Sequence, residues 1–177
     1  MLLVNIHLLK EYFGLEKKMF LEKGKVFSRR NELMARASEV TLDLYGKSAH
    51  IAKAAEGVDS LMAGAEFYTR AMEMERQIPA GVFRLLKFGK FQSGTARNAL
   101  SAHTHLEGSL RAFQDEVFDT LKARLYEIGN EMEEKYGVQG SIRMSQGYPA
   151  VMNPAWLYDR VAEAVEALRH CNLFLTE

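Results

Sequence analysis

Between residues 40 and 45, the apolar Val40, Leu42 and Leu44 alternate with Thr41, Asp43 and Tyr45, the period-two pattern of a half-buried strand, and Gly46 ends it. The period then changes. Val58, Leu61, Met62, Ala65, Tyr68 and Met72 recur at helical spacing, which predicts a helix over 57–77. Asp59 or Ser60 caps its start and Pro79 marks its end. Residues 83–91 and 103–113 read as strands. A second helix over 114–136 carries the stripe Val117, Leu121, Leu125, Ile128 and Met132, with Gly137 where a left-handed cap is expected. Residues 141–148 read as a fourth strand. After the turn at Gly147-Tyr-Pro149, Asn153-Pro154 opens a third helix with Leu157, Val161, Val165 and Leu168, and the chain ends on the apolar run Leu173-Phe-Leu175.

The order strand, helix, strand, strand, helix, strand predicts an α+β fold of the ferredoxin-like, split β-α-β kind. Its four-stranded antiparallel sheet carries both helices on one face. The domain covers residues 39–148, with terminal extensions on both sides. Residues 1–38 read as an irregular arm that includes a strand over 2–9, and residues 149–177 as a helical extension.

Composition narrows the class without naming it. The 177 residues are 47% hydrophobic and 26% charged, ordinary for a globular domain. Basic and acidic residues balance at 23 each, so no electrostatic case for nucleic acid or an anionic membrane arises. The apolar start is interrupted by Asn5 and His7 and reads as a strand, not as a membrane span. The single cysteine, Cys171, has no nucleophile pattern around it, excludes an internal disulfide and favours a reducing compartment, so the cytoplasm is the expected location.

Three side chains have gripping chemistry. His50 follows a glycine-bounded turn, where an imidazole can donate to a developing oxyanion. Asn98 and Arg111 pair an amide with a guanidinium, a common way to hold a carboxylate. His103 and His105 stand two apart on a strand and so face one side, compatible with two metal ligands, but no acidic or cysteine partner stands at convincing spacing. The expected metal set in this chain is therefore none. Met62, Met72 and Met74 read as packing residues, and Glu133-Glu134 as part of a solvated helix face.

Gly46-Lys-Ser-Ala-His50, Asp59, Gly94-Thr-Ala-Arg-Asn98 and Gly108-Ser-Leu-Arg111, in this order, resemble the zinc-dependent amidohydrolase and aminopeptidase family. That family includes aminoacylases, hippurate hydrolases, N-acetyldiaminopimelate deacetylases and glutamate carboxypeptidases. The resemblance covers about residues 20–160 and implies the lid, or dimerisation, domain that such enzymes insert into a larger catalytic domain. It implies that His50 reaches a substrate carbonyl in a partner subunit's site, and that Asn98 and Arg111 grip the carboxylate end. It further implies a homodimer, an N-acyl amino acid or peptide-like substrate, and zinc or another divalent metal in the intact enzyme. The family's metal-ligand segments have no match ahead of Gly46, and Ser101 stands where the family has proline.

The expected function is that of a truncated amidohydrolase, a substrate-gripping and dimerising domain inactive by itself. The alternatives are a stand-alone homodimerising interaction module and a small-molecule-binding regulatory domain.

Overall fold

In the computed structural model, residues 25–167 and 172–175 are described. The expected strand over 2–9 and Cys171 lie outside them. The chain divides into two compact units, one running from Arg30 to Asn153 and the other made of the residues on either side of it.

The central unit is built on a sheet of β3 (Arg36–Tyr45), β4 (Arg84–Ser93), β5 (His103–Ala112) and β6 (Gln139–Met144), in the order β4-β5-β3-β6. All its neighbours are antiparallel. Two helices, α1 (Ser60–Gln77) and α2 (Asp115–Tyr136), pack on it and on each other, so the split β-α-β arrangement is the observed one. A two-stranded ribbon, β2 (Asn31–Met34) with β7 (Val151–Asn153), also belongs to this unit, outside the span 39–148. In the other unit, β1 (Lys25–Ser28) runs parallel to β8 (Asn172–Leu175), and α3 (Ala155–Ala167) buries Tyr158 and Val165.

Alternation on the strands decides which face is buried. Val40, Leu42 and Leu44 of β3, Leu86 of β4, and Leu106, Leu110 and Ala112 of β5 meet the helices and are essentially sealed from solvent. On α2 the buried residues Leu121, Leu125, Ile128 and Met132 follow the expected stripe, with Phe118 added. Gly137 adopts φ 70° and closes the helix with its N–H on the Glu133 carbonyl.

On α1 the buried stripe differs from the expected one. Ala63, Gly64, Phe67, Ala71 and Met74 face the sheet, whereas Leu61, Met62, Ala65 and Tyr68 are exposed. Met62 is therefore not a packing residue, unlike Met72 and Met74. The cause is spacing between layers: a Cβ on Gly64 would lie 2.5 Å from the Thr104 Cγ2, so only small residues fit where helix and sheet approach. The helix begins at Ser60 because the Asp59 carboxylate accepts from the N–H groups of Leu61 and Met62, at 3.0 and 3.2 Å.

Candidate functional site

The loop leaving β3 is fixed by backbone pairing. The Gly46 N–H donates to the Ala102 carbonyl at 2.8 Å, and Lys47 and Val58 exchange two bonds of 2.9 Å. Glycine is required here, since a Cβ on Gly46 would stand 2.2 Å from the Val58 oxygen. The chain next lies antiparallel to the segment before β5. The Leu100 N–H donates to the Ala49 carbonyl, and the Ile51 N–H to the Asn98 carbonyl at 3.0 Å. His50 bridges to Ala99 and caps a short 3-10 helix (Ile51–Glu56), its Nδ1 accepting from the Ala52 N–H at 3.2 Å.

This pairing brings His50 and Asn98 together, both exposed, on adjoining backbone. It does not bring Arg111 to them. Arg111 is exposed near the far end of β5, paired in register with Ala37 and Leu85. The eight-residue step from His103 to Arg111 is roughly 25 Å of strand. Within one chain, then, Asn98 and Arg111 do not share a single carboxylate.

Ser101 has a local explanation. It is 4% exposed and ties the loop to α1 and β4: the Ser60 and Ser93 hydroxyls donate to its Oγ at 3.0 and 2.8 Å, and its own hydroxyl donates to the His103 carbonyl at 2.8 Å. Polar bonds hold the loop at the position where a proline would stiffen it.

The sheet face turned away from the helices holds a cluster that spacing along the chain conceals. Asp43 and His105 lie directly opposite one another on β3 and β5, and His103 is two residues along the same face. The Asp43 Oδ1 is 2.7 Å from the His105 Nδ1 and 2.9 Å from the His103 Nε2. Arg143 of β6 donates to the other oxygen of Asp43 at 2.7 Å. The His105 Nε2 is 2.7 Å from a Glu107 carboxylate oxygen, to which Lys90 also donates, and the His103 ring stacks on Tyr45 at 4.7 Å. The expectation that His103-x-His105 lacks an acidic companion is thus corrected. The register of two strands supplies one, sixty residues away.

Covered by these partners, Asp43 is only 5% exposed although it faces away from the core. Burial alone would push its carboxyl up. The hydrogen bonds from His105, His103 and Arg143 outweigh this and hold its pKa down to about 2. The bonds to Glu107 and Asp43 stabilise the charged imidazole and raise the pKa of His105. An open groove of about 490 Å³ runs beside this face and the loop, lined in part by Ser48, Lys90, Thr95, Leu100, His103 and His105.

No family model matches the chain. It is 31% identical over 146 residues to N-acetyldiaminopimelate deacetylase of Lacticaseibacillus casei (strain BL23), a match covering 81% of this chain and 38% of the relative. It is 29% identical over 151 residues to the Limosilactobacillus fermentum enzyme of the same name, covering 82% and 38%. Among solved structures, the aminobenzoyl-glutamate utilization protein of Klebsiella pneumoniae superposes with a TM-score of 0.70 at 20% identity, over 89% of this chain and 40% of that one. The YXEP protein of Bacillus subtilis, a dinuclear metal-binding peptidase of the M20 family, gives 0.63 at 19% identity, over 90% and 39%. The chain spans about 40% of the length of these relatives. The match is to one part of hydrolytic enzymes, and it does not favour the free-standing module or the regulatory domain.

Proposed function

We propose that this chain, a member of the amidohydrolase family by its match to part of N-acetyldiaminopimelate deacetylase, supplies the substrate-gripping and dimerising domain of an enzyme that hydrolyses N-acyl amino acids. The observation that carries the reading is the backbone pairing of the His50 loop with the segment of Asn98, which holds both residues at one end of the sheet. His50 donates to the oxygen of the acyl carbonyl, where negative charge grows during attack, and Asn98 supports it from the adjoining segment before β5. Arg111 takes the carboxylate, with which a guanidinium forms two parallel hydrogen bonds.

Because Arg111 stands a strand's length from the loop, one small substrate meets all three residues only across two copies. His50 and Asn98 then come from one subunit and Arg111 from the other. The surface is suited to such pairing: β4 and β6 are outer strands, and Leu61, Met62, Tyr68 and Phe91 are exposed apolar side chains on and beside α1.

A divalent metal would supply the activated water in the intact enzyme. Among the described residues, no set of His, Cys, Asp and Glu gathers around His50, Asn98 or Arg111. These three positions do not fit a hydrolytic metal centre. This chain's contribution is therefore to bind and orient, and without an activated nucleophile most of the barrier remains. No helix among the described residues is long and apolar enough to cross a membrane, and the lone cysteine of this chain supports a cytoplasmic location.

A chimera tests the reading. Replacing the matching stretch of the Lacticaseibacillus casei deacetylase with this chain should retain deacetylation. His50→Ala in the chimera should lower kcat by about 10²–10³-fold, the effect of losing an oxyanion donor. A folded, active chimera indifferent to His50 would refute the assigned role.

A further inference from the structure

The sheet face turned away from the helices carries a binding site of its own. We propose that Asp43, His103 and His105 bind a zinc-class divalent cation through three protein ligands, with the fourth position open to the groove beside them. The three donor atoms lie within 4.8 Å of one another. The arrangement follows from strand geometry: residues two apart on β5 present both imidazoles to one side, and the cross-strand partner of His105 presents a carboxylate to the same side. Two nitrogens and one oxygen suit zinc, copper, cobalt or nickel. Magnesium and calcium prefer oxygen shells.

Two of the three ligands already have the outer partner that such sites need. The His105 Nε2 meets Glu107 at 2.7 Å, the carboxylate–histidine pairing that leaves Nδ1 to a metal and fixes the ring. Arg143 occupies the second oxygen of Asp43 at 2.7 Å, so the carboxylate offers Oδ1 alone. His103 is braced by its stacking on Tyr45 at 4.7 Å. The donors stand 2.7 and 2.9 Å from Asp43 Oδ1, with protons between them. A tetrahedral zinc with bonds near 2.1 Å separates its ligands by roughly 3.4 Å. The metal therefore needs the His103 and His105 nitrogens to draw back from Asp43 by about 0.5 and 0.7 Å. The His103 side chain, 46% exposed, has the room to do so, and the His105 shift is taken up against Glu107, whose side chain is 49% exposed. Ser48, Thr95 and Leu100 line the groove onto which the site opens, leaving room for a water or a ligand atom at the fourth position.

The test uses the full chain, stripped of metal and titrated with cobalt(II), followed by zinc in competition. The expected result is one equivalent of cobalt with the intense visible bands of four-coordination, displaced by zinc. His103→Ala should abolish the bands and weaken zinc at least tenfold. Glu107→Gln, at an exposed position outside the ligand set, should weaken zinc about 10–100-fold with the far-ultraviolet circular dichroism unchanged. Absence of four-coordinate cobalt in the wild-type chain would overturn the proposal. So would bands that persist unchanged in His103→Ala and in His105→Gln, since the metal would then be bound elsewhere.

Discussion

Asp43 shows how a single residue can escape a sequence reading that is otherwise correct about it. The alternation of β3 places it on the solvent side, and there it is. What alternation does not convey is that His103, His105 and Arg143 close over it from two neighbouring strands. Its stability contribution has a definite pH signature in the metal-free chain. The folded carboxyl titrates at about 2 against 3.8, so its contribution is present above about pH 4 and lost as pH falls toward 2. His105 is shifted the other way, so its contribution is present below pH 6.5 and lost as pH rises through the raised value. Urea unfolding across pH 2–9 should therefore show a plateau between about pH 4 and 6.5. Asp43→Asn should flatten the acid slope, reduce the alkaline one, where the Glu107 bond to His105 remains, and cost about 2 kcal/mol at pH 5, the scale of unpairing buried polar partners. An unchanged profile in that variant would show that the cluster is not coupled to folding.

Elements were legible in proportion to how far their side chains alone determined them. The stripe of α2 was readable because large residues fill it, and the cap at Asp59 because its chemistry is local. The stripe of α1 was not, because the sheet selects small residues at Ala63, Gly64 and Ala71 and leaves Leu61, Met62 and Tyr68 outside. Hydrophobic periodicity favours large side chains, and the interlayer distance is not written in it. The loop at Gly46 was visible as a glycine-bounded turn, yet the backbone pairing that joins His50 to Asn98 was not. Gly46→Ala tests how firmly that loop is held. The new Cβ meets a backbone oxygen that no rotamer can move, so the substitution should cost roughly 2–3 kcal/mol in urea unfolding. It should also shift the amide resonances of residues 47–51. A variant as stable as the parent would mean that the loop has room the structure does not show.

At the scale of the whole molecule, the strand-length separation of Arg111 from the His50 loop turns a question about residues into one about assembly. The sequence presented three gripping residues in order along the chain but carried no measure of the distance between them. Register on β5 supplies it. In the proposed dimer, the exposed apolar residues of α1 form part of the contact between copies. Sedimentation equilibrium at micromolar concentration should report a dimer that Leu61→Glu weakens at least tenfold, since a buried unpaired charge at an interface costs more than about 1.4 kcal/mol. A monomer in the parent chain would leave the trans arrangement without support.

The most direct test of that arrangement is complementation between two inactive chimeras of the deacetylase, one carrying His50→Ala and the other Arg111→Ala. If His50 and Arg111 serve one substrate from opposite subunits, random mixing restores one of the two sites in each mixed dimer and recovers about a quarter of parental activity. If both residues act from the same subunit, every site in the mixture lacks one of them and activity stays at the level of the separate variants.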